Sequence, residues 1–83
     1  MTFRAEFTIY PFREGEDPPK YVLAAIERLR AAGFEVEVGL LGQTVSGDLD
    51  RIVEALQVAL PVAMREGANR VVISVEASDD SPG

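Results

Sequence analysis

Cysteine and histidine are both missing from this chain. Without thiols there is no disulfide and no thiolate nucleophile. Without imidazole, the commonest general base and the commonest zinc ligand are gone, and no Ser-His or Cys-His pair can be assembled. Lysine is nearly absent, Lys20 standing alone at a predicted helix start. Positive charge as a whole is scarce: 8 Lys and Arg face 14 Asp and Glu, for a formal net charge of -6. That balance argues against a nucleic-acid reader, whose affinity rests on basic side chains meeting phosphates. It also argues against an anionic membrane surface, and it suits a cationic partner. No apolar run approaches the roughly 20 residues that span a bilayer. Met1-Thr2-Phe3-Arg4-Ala5-Glu6 lacks the pattern of a secretory signal, so a cytoplasmic protein is the expectation.

What is present suffices for one small domain. The 83 residues are 47% apolar, enough for a single core and too much for a disordered tail. The expected division is a domain over residues 1–78 and a flexible acidic tail over 79–83. A core this thin typically leaves a stability on the order of 5 kcal/mol, which makes oligomerisation a natural supplement.

Taken in order, Phe3, Ala5, Phe7 and Ile9 alternate with Arg4, Glu6, Thr8 and Tyr10, a period of two that predicts a strand with one buried face. Pro11 ends regular pairing. Arg13 to Pro19 reads as a solvated loop; its acidic residues lack EF-hand spacing and no metal site is expected. Asp17 is placed to cap the next helix, with a proline in its first turn. Lys20 to Ala32 carries Val22, Ala25, Ile26 and Leu29 at helical spacing, and Gly33 is a natural stop. Phe34, Val36 and Val38 alternate with Glu35 and Glu37, predicting a second strand.

The stretch from Gly39 to Asp48 is the most informative in the chain. Gly39 and Gly42 bracket Leu40 and Leu41, as a tight or bulged hairpin requires. Leu41, Gln43 and Val45 then share one face of a third strand, and Gly42, Thr44 and Ser46 the other. Turn chemistry alone accounts for the glycines. A sharper expectation is that Gly42, Thr44 and Ser46 make a shallow polar floor, with room above Gly42, for a small ligand. No lysine follows the glycines, and neither a Walker motif nor a dinucleotide fingerprint is present. Asp48 is a good N-cap, and Asp50 adds charge at the favourable end of the helix dipole. The following helix, Leu49 to Glu66, is expected to bury Leu49, Ile52, Val53, Leu56, Leu60, Ala63 and Met64, with a kink at Pro61. Arg70 to Ala77 is the last strand, with Val71, Ile73 and Val75 facing the core.

Strand, helix, strand, strand, helix, strand is the split βαβ, or ferredoxin-like, order. It predicts an α+β fold: a four-stranded antiparallel sheet, first and third strands central, both helices on one face. The other face is then open. Parity puts Arg4, Glu6, Thr8, Tyr10, Glu35, Glu37, Thr44, Ser46, Val72, Ser74 and Glu76 on it. Its carboxylates would draw a cation, while its hydroxyls and Tyr10 offer hydrogen bonds and a stacking surface. Carboxylates on an open face are solvated and poor acid–base catalysts. The same face could equally be the ordinary wet side of a sheet or pack on another sheet.

Ala5-Glu6-Phe7 with Pro11, Tyr21-Val22 with Ala25-Ile26, Gly33-Phe34-Glu35-Val36-Glu37-Val38-Gly39, Leu41-Gly42, Thr44-Val45-Ser46-Gly47-Asp48, and Gly67-Ala68 before Arg70-Val71-Val72 together resemble the small thiamine-binding, YkoF-like family over nearly the whole chain. The Gly-x-x-Gly-x-Thr-x-x-Gly-Asp spacing from Gly39 to Asp48 is the most specific part. Leu40 and Gln43 stand where that family often has proline and threonine. The resemblance implies a ferredoxin-like fold, assembly into dimers or tetramers through sheets, and binding of thiamine or its hydroxymethylpyrimidine part, without catalysis and without a cofactor. The motif positions that transfer are Thr44, Val45 and Asp48, with Glu6 and Pro11. Combined with the open face, the candidate ligand-binding residues are Glu6, Thr8, Tyr10, Thr44, Val45, Ser46 and Asp48, with Tyr10 as a stacking wall. The rival expectation is a structural or regulatory ferredoxin-like module that binds another protein subunit or an amino acid. An RNA-recognition module is rejected, because its central aromatics and basic surround are missing. An acylphosphatase is poorly served, because Arg13 lies in an acidic loop.

Overall fold

In the computed structural model, residues 2–11, 17–39 and 42–78 are described. The expected acidic loop, hairpin turn and tail fall largely on residues 12–16, 40–41 and 79–83, outside the described residues. The elements are β1 (Thr2–Tyr10), α1 (Lys20–Ala31), β2 (Glu37–Val38), β3 (Gln43–Gly47), α2 (Leu49–Arg65) and β4 (Arg70–Ser78). They form one antiparallel sheet in the order β2-β3-β1-β4, the ferredoxin-like arrangement with β1 and β3 in the middle.

Alternation along β1 decides which side of the sheet is covered. Ala5, Phe7 and Ile9 are buried, while Arg4 and Glu6 are exposed. Val22, Ala25, Ile26 and Leu29 of α1 and Ile52, Ala55, Ala59 and Ala63 of α2 join the same core cluster. Both helices therefore lie on the Phe7 side. Val45 of β3 faces them and is 1% exposed, whereas Ser46 beside it is open to solvent.

The helix ends follow local chemistry. Asp48 caps α2, its carboxylate accepting from the Arg51 backbone N–H at 2.9 Å. Asp17 does not cap α1. That position belongs to Pro19, which has no side chain able to accept, and the first turn begins with its carbonyl. Both helices stop at glycines in the left-handed region, Gly33 (φ 92) and Gly67 (φ 118). Arg51 ties the start of α2 to the end of α1. Its guanidinium stacks 3.8 Å over the Phe34 ring, donates to the Gly33 carbonyl at 3.4 Å and pairs with Glu54 at 2.6 Å. Pro61 sits inside α2, which continues through it as one helix.

Two expectations are corrected. The second strand is two residues long. Phe34 and Val36 are buried, but only Glu37 and Val38 pair with β3; the residues before them pack into the core without joining the ladder. The buried row of α2 is Ile52, Ala55, Ala59 and Ala63. Leu49, Val53, Leu60 and Met64 are 42–52% exposed. Alanines at successive turns let α2 approach the sheet and α1 closely, and the bulkier residues, one flank over, are left outside.

Candidate functional site

The open face is read strand by strand from the pairing register. Thr44 on β3 lies between Glu37 of β2 and Glu6 of β1, which in turn faces Ser74 of β4. The next row runs Ser46, Arg4, Glu76. Opposed side chains on neighbouring strands stand about 5 Å apart at Cβ. The two carboxylates thus flank the Thr44 hydroxyl across roughly 10 Å of sheet, with the Arg4 guanidinium one row away. A depression of about 340 Å³ opens here, lined by Arg4, Glu6, Glu37, Val38, Gly39, Gly42 and Thr44.

Gly42 fixes the corner of this depression, for a reason opposite to the one expected. No room lies above it. It is buried, and a Cβ built there would overlap the Phe7 carbonyl oxygen of β1. The glycine permits close approach of two backbones. The Gly39 N–H then donates to the Gly42 carbonyl at 2.8 Å, holding β2 against β3 and so placing Glu37 beside Thr44.

The expected site residues are not all brought together. Glu6 and Thr44 line the depression. Thr8 is half-buried at the Gly42 end, where its hydroxyl would lie 3.2 Å from a Cβ on that glycine. Ser46 is exposed in the Arg4 row. Tyr10 stands four residues from Glu6 along β1, roughly 13 Å away at strand rise, and the Arg70 guanidinium lies 5.1 Å over its ring. Val45 points into the core and the Asp48 carboxylate caps α2. Glu35 lies outside the paired strand. Arg4, Glu37, Val38 and Gly39 are lining residues absent from the expected set. Parity had put Arg4 and Glu37 on the right face, and only the register shows that Glu37 meets Thr44.

Chemically the arrangement is a shallow acceptor-rich mouth. The carboxylates accept from amino groups or face a cation, the hydroxyl both donates and accepts, and the guanidinium donates to a ring nitrogen or an oxygen. Among the described residues no group of acidic side chains is placed to hold a metal ion, and no helix is long and apolar enough to cross a membrane.

Known proteins with the same pattern bear on this mouth. Over 75 residues the chain is 33% identical to UPF0045 protein MJ1052 of Methanocaldococcus jannaschii, covering 90% of this chain and 74% of that one. The crystal structure of MJ1052 superposes with a TM-score of 0.67 at 32% identity, over 99% of this chain and 87% of the other. A Bacillus cereus domain of unknown function, DUF77, matches with a TM-score of 0.65 at 27% identity, over 90% and 72% of the two chains. TM0486 of Thermotoga maritima, provisionally described as a thiamine biosynthesis/salvage protein, shares the fold with a TM-score of 0.65 at 21% identity, over 92% and 81%. The sequence pattern that defines the thiamine-binding proteins matches residues 5–82, nearly the whole chain, and this protein belongs to that family.

Proposed function

We propose that the protein binds thiamine or its hydroxymethylpyrimidine moiety on the open sheet face, without catalysis, and works as a homo-oligomer. Membership of the thiamine-binding family supports the ligand class. One observation supports the location: Glu37, Thr44 and Glu6 converge across three strands around a depression of that face that joins carboxylates to a hydroxyl and a guanidinium. Thiamine is a cation that carries an aminopyrimidine. Its thiazolium suits a carboxylate wall, its amino group donates to the other carboxylate or to Thr44, and a ring nitrogen accepts from Arg4. Tyr10, at the far end of β1, has no part in the first contacts. Glu6 and Glu37 stand on exposed positions, which suits holding a guest better than acid–base work.

Calorimetric titration tests it directly. Thiamine should give saturable heat, and free hydroxymethylpyrimidine should compete for the same site. Folded protein that gives no heat with millimolar thiamine or hydroxymethylpyrimidine would refute the assignment. A folded protein responding instead to an amino acid in the same titration would transfer it to the regulatory-module class.

A further inference from the structure

The charges around the open-face depression sort ligands by sign. Its ionised lining residues are Arg4, Glu6 and Glu37, two negative charges against one positive. The register adds a third carboxylate. Arg4 faces Glu76 across β4 and has Glu6 two positions along its own strand, roughly 7 Å on. Its single guanidinium therefore stands among acids. The other cations of the described residues lie elsewhere. Those of α1 and α2 belong to the helix side of the sheet, where Arg30 donates to the Val36 carbonyl at 3.3 Å and Arg51 is held by Phe34, Gly33 and Glu54. Arg70 lies over Tyr10 at the far end of β1.

Proteins grip a phosphate with paired cationic side chains, with the free N–H groups of a glycine turn, or with a helix N-terminus. Each device is missing here or already used. No second cation lines the depression. At its glycine corner the Gly39 N–H is spent on the Gly42 carbonyl at 2.8 Å. The N-terminus of α2 follows directly on β3, but the Asp48 carboxylate fills it and Asp50 adds a second negative charge in the first turn. Thiamine carries its hydroxyl on a two-carbon arm of the thiazolium, and the free pyrimidine carries one a single carbon from its ring. A phosphate on either brings about -1.5 to -2 charges and turns a cation or a neutral ring into an anion. It would stand a few bonds from the carboxylate that holds the ring. We infer that the mouth selects the phosphate-free form of its ligand: it takes thiamine or the free pyrimidine alcohol and rejects their phosphate esters by charge. This rests on the thiamine reading above and adds what that site excludes, a discrimination made by repulsion and not by an extra contact.

Calorimetry of the full chain with thiamine, thiamine monophosphate and thiamine diphosphate tests it. The monophosphate should bind about tenfold or more weakly than thiamine, and the diphosphate more weakly still. Salt separates charge from size. Between about 0.01 M and 0.15 M the screening length falls from roughly 30 to 8 Å, so the thiamine constant should rise, the monophosphate constant should not, and the gap should close at least threefold. Ser46→Arg places a second guanidinium opposite Arg4, at an exposed position, and should narrow the gap about tenfold by tightening the ester. Ser74→Arg, exposed and opposite Glu6, should narrow it by a smaller factor, and circular dichroism checks that both variants fold. A monophosphate that binds as well as thiamine or better would overturn the inference while leaving the thiamine reading in place. A gap that neither salt nor either folded variant alters would overturn it too, since size and not charge would then set the preference. No heat from any of the three ligands would instead strike the thiamine reading itself, and the inference with it.

Discussion

The sheet has two edges, and they are built for different work. At one, β2 offers two residues to its neighbour and Glu37 and Val38 stand exposed. At the other, β4 offers nine, with an apolar row of α2 alongside. An edge of two residues, flanked by Val36 and Gly39, is too short to template another chain, and it walls the Glu6–Thr44 depression instead. An edge of nine without proline, glycine or lysine has none of the devices that shorten or blunt the first. The contrast teaches that edge length and charge, more than the number of strands, decide where a small sheet meets the outside.

The sharpest way to break the contrast is at Gly42. Gly42→Val pushes a side chain into the Phe7 carbonyl, and the strain should cost about 3 kcal/mol, read as a lower denaturation midpoint. The β2 edge should suffer first, with ligand heat lost in protein that is still folded. Next comes Glu37→Gln, which removes the charge from the wall and leaves the fold intact. A charge-assisted hydrogen bond is worth about 1.5–3 kcal/mol, so thiamine affinity should fall roughly tenfold to a hundredfold by calorimetry, with the denaturation midpoint unchanged. On the other edge, Leu60→Asp alters a side chain that is already 42% exposed. Stability should move by no more than about 0.5 kcal/mol by denaturant titration, with thiamine affinity within about twofold, because this border lies away from the mouth. The smallest effect should come from Tyr10→Phe. Its ring lies far from the mouth, under Arg70, so ligand affinity should stay within about twofold, inside the roughly 0.5 kcal/mol range of ordinary surface substitutions. A large loss there would move the site along β1.

Much of this was legible in the residues. Period-two alternation in β1 and β4 and the spacing of Val22, Ala25, Ile26 and Leu29 carried the element order, the sheet and the side its helices cover. The β3 boundaries followed from Gly42 and from Gly47-Asp48. What misled was size. Leu49, Val53, Leu60 and Met64 have the right spacing for a core stripe, and hydrophobicity weighs them above Ala55 and Ala59. Close packing weighs the reverse, since only a small residue lets a helix sit down on a sheet. A stripe left at the surface and a stripe facing the core look alike in one sequence. At the depression, parity put Glu6 and Thr44 on the face they line, but parity knows only faces. Distance along a strand removed Tyr10, the core claimed Val45, and a helix start occupied Asp48. Glu37 needed a register that no local pattern specifies.

The brevity of β2 has one more consequence. A wall fastened by so few backbone bonds is the least costly part of the sheet to open, and its amide protons should exchange with solvent sooner than those of β1. A guest bridging Glu37 and Glu6 would act as the missing fastener. Occupancy should therefore register as slowed exchange at Glu37 and Val38, with β1 and β4 unmoved: a protein that records its ligand by stiffening one rim instead of changing shape.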